Sequence, residues 1–276
     1  MPVVRKNPLR ASLSKNKICL GSFQLLSDPA SSEITLGCGF EFMLIDAEHR
    51  AFDPHRVEAL IATIQGVGKD KSAVVRVPEI SRGTMQYALD SGADGVLIPL
   101  VNTQAEAERA VSYCRYPPKG TRGLNSAARA AGWWQPNAAV YARATNKSVV
   151  AMVQIETVSG LENVDQIASV PGVDMLFVGP MDLSHGMGLT GQFGHPEVRA
   201  AIAKIFKTGL QHNKWLGVLA PDAEFAQWCV SLGARFIVCR SDARFLREAG
   251  ERAWVDYQGL DKKKTARGTA GGLSAY

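Results

Sequence analysis

Eight short, nearly uninterrupted apolar runs, each of strand length and each separated from the next by amphipathic sequence, restrict what this chain can fold into more than any other feature. They are ICLGSFQ (18–24), FMLID (42–46), AVVRV (73–77), GVLIP (95–99), VAMVQI (150–155), MLFVG (175–179), WLGVL (215–219) and FIVCR (236–240). Continuous apolar runs, rather than alternating ones, mark strands covered on both faces, as in a parallel sheet. Between them lie helical segments such as PHRVEALIATIQ, TQAEAERAVSYC and HPEVRAAIAKIFKTG, several bounded by Asp, Ser, Pro or Gly. Eight such alternations predict an α/β fold, a single-domain (β/α)8 TIM barrel. The alternative, an open doubly wound sheet, calls for a glycine-rich phosphate loop after an early strand, and none follows the first run. The expected boundaries are an N-terminal extension at 1–17, the barrel at 18–255 and a flexible tail at 256–276. Residues 100–149 exceed an ordinary connection and are expected to form an active-site loop.

Composition narrows the function classes. Of the 276 residues 46% are hydrophobic, enough for a large core. No apolar stretch is long enough to span a membrane, and the basic N-terminus has no apolar segment behind it to make a secretory signal. Five scattered cysteines without CxxC spacing favour reduced thiols and a cytoplasmic location. Part of the net charge of +5 sits at the N-terminus and in DKKKTARG near the C-terminus. Both read as solvated tails, with no aromatic-interleaved basic stripe, so neither a nucleic acid nor a membrane is an expected partner.

In a barrel, chemistry sits at the carboxyl ends of the strands. Strand two ends in Asp46, Glu48 and His49, strand three carries Arg76, strand five ends in Gln154 and Glu156, and strand six leads to Asp182. Each has an ordinary reading: Asp182 as a helix cap, His49 as a surface residue, Arg76 as an ion-pair partner, Asp46 as a structural cap. Several at one face point to a single pocket. Glu156 and Asp182 would stand on neighbouring strands about 5 Å apart. Carboxylates that close repel unless a proton or a cation lies between them. Two oxygen ligands without cysteine suit Mg2+ or Mn2+, with positions left for a chelating 2-oxo acid; a metal-free pair sharing a proton is the competing explanation. No lysine ends any of the runs, which disfavours imine chemistry. The loops after the last two runs lack a glycine-rich phosphate cradle, which favours a free acid over a phosphate ester.

LIDAEH, VVRVP, YPPKGTRGLNSAARA, VQIET and VGPMDLS together resemble, in order and spacing, the HpcH/HpaI (hydroxy-oxo-heptanedioate) aldolase family of class II, metal-dependent pyruvate aldolases. The resemblance implies an aldehyde-lyase acting on 4-hydroxy-2-oxo acids through a pyruvate enolate. Glu156 and Asp182 would be the metal ligands, for Mg2+ first, with Mn2+ or Co2+ as alternatives. His49 would be the acid/base, Arg76 the enolate stabiliser, and Asp90 the aspartate that raises the basicity of the histidine, in some members across a subunit boundary. Gln154, Ser126, Met181, Asp182 and Leu219 would contact substrate. Met181 departs from the family's usual alanine and HRAFD from its usual HAPN, two changes that bear on substrate range. The implied partners are a 2-oxo acid, an aldehyde and further copies of the chain, as a trimer or hexamer with exchanged C-terminal helices. Oxaloacetate decarboxylation, or enolate addition as in macrophomate synthase-like members, is the alternative activity, and a non-catalytic 2-oxo acid-binding barrel the alternative class.

Overall fold

All eight apolar runs form strands. The computed structural model describes residues 5–258 and 260. The strands are β1 (Cys19–Gln24), β2 (Phe42–Asp46), β3 (Ser72–Arg76), β4 (Gly95–Ile98), β5 (Val150–Ile155), β6 (Met175–Val178), β7 (Trp215–Ala220) and β8 (Phe236–Ser241). They close in sequence order into a barrel, every neighbouring pair parallel, β8 returning to β1.

The helices are α1 (Pro8–Leu13), α2 (Pro29–Gly37), α3 (Pro54–Val67), α4 (Arg82–Asp90), α5 (Gln104–Cys114), α6 (Ala138–Ser148), α7 (Val158–Glu162), α8 (Val164–Ser169), α9 (Pro180–Gly186), α10 (Pro196–Gln211), α11 (Ala223–Ser231) and α12 (Asp242–Tyr257). Most begin where capping chemistry dictates. Asp28, Asp53, Asn137, Thr157 and Asp222 each accept an N–H of the first turn. Thr103 and Glu106 form a reciprocal capping box at α5. None of α12 is long and apolar enough to cross a membrane, nor is any other helix among the described residues. Among the described residues, those from Ala243 on form a compact unit of their own. Its helix carries the pairs Arg244–Glu248 and Arg247–Glu251, each one turn apart.

The core has two layers. Strand residues facing outward pack under the helices, among them Ile45, Val75, Val153 and Leu216. The inward layer contains Phe42, Leu44, Val74, Met152, Phe177 and Phe236. Phe42 and Phe236 stack at 4.1 Å between ring centroids, and Phe177 meets Phe236 edge-on at 6.1 Å.

Two expectations need correcting. The basic N-terminal segment is not a solvated tail from Arg5 onward. Leu9 and Leu13 of α1 join the inward core, which they reach at the amino ends of the strands. Around them Arg5 pairs with Asp94 at 2.5 Å and Arg10 with Asp174 at 2.7 Å. Asn7 donates to the carbonyls of Asp94 and Ser148. The other basic segment, DKKKTARG, lies outside the described residues.

Nor is 100–149 one active-site loop. Its first part continues as α5, which carries the chain back toward the amino ends of the strands. The remainder then packs along α4 before α6 leads into β5. Arg122 pairs there with Asp90 at 2.6 Å, Arg129 donates to the Ser91 carbonyl at 2.7 Å, and Gly123 lies against Gln86.

Because Leu13 is 2% exposed within a fully formed inner core, Leu13→Ala is expected to lower the unfolding free energy by about 2–5 kcal/mol. Urea unfolding followed by circular dichroism would measure it; a loss below about 0.5 kcal/mol, the level of an ordinary surface substitution, would mean that α1 does not plug the barrel.

Candidate active site

The carboxyl mouth is organised by an ion pair between two neighbouring strand ends. Asp46 and Arg76 are register partners on β2 and β3. The guanidinium grips the carboxylate at two points, Nε to Oδ1 at 3.0 Å and Nη2 to Oδ2 at 2.7 Å. Both side chains are buried, and the Arg76 guanidinium lies over the Phe23 ring at 4.7 Å. Asp46 Oδ1 also accepts the backbone N–H of Glu48 and of His49, each at 3.2 Å. A single buried carboxylate therefore fixes both the arginine and the turn that follows β2. Asp46 is a structural anchor here.

That turn presents two further groups. Glu48 Oε2 stands 3.1 Å from Arg76 Nη1 and 3.8 Å from His49 Nε2. The imidazole of His49 is 64% exposed, at the rim. Burial is the main force raising the Glu48 carboxyl above its ordinary range, opposed by Arg76 and His49 and reinforced by Asp46 and Asp182. Sequence alone assigns Glu48 no individual role. Its signal was its place in DAEH, one residue before the proposed acid/base.

Across the mouth, β5 ends in Gln154 and Glu156. Both are buried, and the Gln154 amide donates to Glu156 Oε2. Glu156 Oε1 accepts the Leu100 N–H at 2.9 Å. The Glu156 carboxyl is pushed up to about 7, chiefly by burial, with the charges of Glu48 and Asp182 adding to it and the Leu100 N–H and Arg76 opposing it. Asp182 occupies the first turn of α9, directly after β6. Gly179 precedes it: a Cβ there would stand 2.8 Å from both Gln154 Nε2 and Glu156 Oε2, so only glycine leaves the carboxylate its room. The Leu100 amide and Gly179 are further contributors that sequence reasoning missed. Leu219, at the end of β7, packs partly buried on the inward core, and Met181 is 47% exposed beside Asp182.

Two predicted residues stand elsewhere. Asp90 ends α4, which runs from the carboxyl end of β3 toward the amino end of β4; the helix spans about 13 Å. Asp90 pairs with Arg122, and among the described residues no contact joins it to His49. Ser126 lies in the segment that packs along α4, its carbonyl accepting the Gln135 N–H. The mouth of one chain thus gathers Arg76, His49, Glu48, Gln154, Glu156, Asp182, Met181 and Leu219, without Asp90 or Ser126.

Could this mouth hold a cation? Glu156 and Asp182 supply two oxygen donors; the charge of Asp182 acts on both Glu48 and Glu156, and that of Glu48 acts on Glu156. Among the described residues no group of three His, Cys, Asp or Glu side chains comes together as a protein-only metal cage. A two-carboxylate site with substrate and water completing the shell fits Mg2+-like ions, which keep several non-protein ligands.

Comparison with known proteins gives the family. The sequence profile of the HpcH/HpaI aldolase/citrate lyase family matches residues 20–249. The 5-keto-4-deoxy-D-glucarate aldolase of Shigella boydii serotype 18 is 36% identical over 247 residues, covering 89% of this chain and 94% of that enzyme. An HpcH/HpaI aldolase/citrate lyase family protein from Burkholderia cenocepacia superposes with a TM-score of 0.85 at 31% identity, covering 91% of this chain and 99% of that one. Macrophomate synthase, at 24% identity and a TM-score of 0.81 over 94% of this chain and 90% of its own, shares the fold. With its barrel, its mouth of carboxylates and arginine, and these relatives, the chain belongs to the HpcH/HpaI aldolase/citrate lyase family and is a carbon–carbon lyase of the aldolase type.

Proposed function

We propose that this aldolase cleaves and forms 4-hydroxy-2-oxo acids with a divalent cation, Mg2+ first and Mn2+ or Co2+ as alternatives, held by Glu156 and Asp182. The observation that carries the reading is the convergence of three carboxylates, Glu48, Glu156 and Asp182, around one guanidinium at the carboxyl mouth. The name of the Shigella relative's substrate supports the substrate class. Numbered from its other carboxylate, 5-keto-4-deoxy-D-glucarate is a 4-hydroxy-2-oxo acid.

When bound, a divalent cation supplies positive charge to the carbonyl and carboxylate oxygens of such a substrate. The chain's own groups do the rest. His49, at the rim with Glu48 beside it, takes the C4 hydroxyl proton. The C3–C4 bond breaks, its electron pair passes to the 2-oxo group as an enolate, and the aldehyde departs. Arg76 has two of its five N–H donors committed to Asp46 and an Nη1 edge facing the mouth, where it stabilises the enolate oxygen. A proton then returns to C3, giving pyruvate. Gln154 orients substrate beside Glu156, while Leu219 and Met181 line the site. Met181 brings more bulk than the alanine usual in the family, which shrinks the acceptor side.

We assign the roles of Asp90, which pairs with Arg122 in its own chain, and of Ser126 to a homo-oligomer in which each chain lends them to its partner.

Glu156→Gln keeps the shape and removes the charge. It is expected to abolish Mn2+ binding in calorimetry and to lower aldol cleavage by 10²-fold or more; full activity in chelator-treated buffer would sink the cation reading. Since the metal-free Glu156 carboxyl titrates at about 7, apparent Mn2+ affinity should fall about tenfold per unit as pH drops below 7 and level off above it. The same shift works the other way on the metal-free fold: a carboxyl raised above its unfolded value of about 4.3 favours folding increasingly as pH falls from about 7 toward that value. A flat titration of Mn2+ affinity between pH 5.5 and 8 would contradict the assignment. Mixing inactive His49→Ala and Asp90→Asn proteins should restore activity in mixed oligomers, each carrying some intact sites; no recovery after subunit exchange would place both residues' functions within one chain.

A further inference from the structure

The loop between β4 and α5 contains an unexpected backbone. Leu100 has φ +54, the left-handed region, which a leucine adopts at a cost. Its side chain is 51% exposed at the mouth, so packing does not force the conformation. In that conformation the Leu100 N–H donates to Glu156 Oε1, 2.9 Å away, while its carbonyl turns to the loop that follows.

Asn102 holds that backbone in place with every polar atom it has. Its side-chain amide donates to the Leu100 carbonyl at 3.0 Å. Its side-chain oxygen accepts the Thr157 hydroxyl, one residue beyond Glu156. Its own N–H goes to Glu106 at 2.8 Å, and its carbonyl accepts the Asn163 amide at 2.8 Å. Thr157 in turn caps α7 through the Gly160 N–H at 2.9 Å. Asn102 therefore clamps both flanks of Glu156: the strained amide that bonds its carboxylate, and the residue that follows it in the chain.

The geometry points to Asn102 as a positioning residue that, through the left-handed Leu100 amide, fixes Oε1 of Glu156 and with it the orientation of a carboxylate whose Oε2 accepts the Gln154 amide. This rests on the proposal that Glu156 is a metal ligand. A purely structural role, tying two loops together, is the competing account, and the two differ in what glycine at position 100 does. Glycine adopts the left-handed conformation without steric cost, so it should present the amide with less need of the Asn102 clamp. A loop that merely lost a tie would gain nothing from it.

The test titrates the full chain with Mn2+ alone, reading free Mn2+ by electron paramagnetic resonance, with thermal unfolding recorded on each protein. Asn102→Ala is expected to bind Mn2+ about tenfold more weakly or worse, in line with losses seen when groups behind metal ligands are removed. Leu100→Gly should match the wild type, and Leu100→Gly combined with Asn102→Ala should recover most of the loss. At saturating Mn2+, the KM of Asn102→Ala for a 4-hydroxy-2-oxo acid should stay near wild type while kcat falls. Should Asn102→Ala fail to fold, Asn102→Asp is read instead, since it keeps an acceptor for Thr157 and drops the donor to Leu100. Wild-type Mn2+ affinity in the folded variant, or a loss that glycine at 100 does not restore, would overturn the assignment. Glu156→Gln is run in parallel: if it retains Mn2+ binding, the metal reading itself falls and takes this inference with it, whereas loss in Glu156→Gln alone refutes only the role of Asn102.

Discussion

The mouth of this barrel takes its shape from one buried ion pair, Asp46 with Arg76. Removing either partner would strand a charge where water cannot reach it, a loss that typically costs about 3–5 kcal/mol. The pair also has geometric consequences. Because the same Asp46 oxygen that receives Arg76 Nε receives the N–H groups of Glu48 and His49, the arginine and the turn cannot shift independently. Arg76 is held from three sides: the Asp46 fork, the Phe23 ring and Glu48. A guanidinium so constrained needs little reorganisation when charge develops near it, which is the condition under which such a group contributes most to a reaction.

Beyond that neutral pair, the mouth carries Glu48, Glu156 and Asp182 against one exposed imidazole. A shared proton and a bound cation looked like rival solutions to this crowding when only the sequence was considered. On the proposed reading they become two states of one site. With the Glu156 carboxyl raised to about 7, the proposed cation would bind there by displacing a proton. Burial is the largest contribution to that shift, and Arg76 is the protein cation that opposes it.

How much of this was legible in the sequence depended on whether a signal was local. The strands were, because a buried parallel strand is a continuous apolar run whatever surrounds it. Asp46, His49, Arg76, Gln154, Glu156 and Asp182 were, because a residue at the end of a parallel strand inherits its place from the strand. Helices α2 and α6 were not: PASSEITLG has too few apolar residues to show a helical stripe, and α6 lay in a stretch expected to be loop. The plug formed by α1 was hidden by its charges, since Arg5 and Arg10 look solvated until Asp94 and Asp174 are seen beside them. Asp90 and Ser126 were harder. Their motif suggests the site, yet a residue that ends a helix in a β/α unit belongs to the end of the barrel opposite the residues that end strands. Applied strictly, that parity alone separates Asp90 from His49 within one chain.

The division between the two ends also bears on which electron sink the chemistry can use. Breaking a C–C bond beside a 2-oxo group requires something to hold the electron pair, either a covalent iminium or positive charge close to the carbonyl oxygen. An iminium requires an amine at the carboxyl mouth, and no strand of this barrel is followed by a lysine there. What the strands do deliver to that face is Arg76, fixed in orientation, and acidic groups arranged to hold further positive charge. Stabilisation must then be electrostatic, and its strength depends on the angle at which Glu156 is presented. That is where the strained amide of Leu100 has its use: the chain accepts an unfavourable backbone at the rim of the site rather than let the orientation of one carboxylate vary.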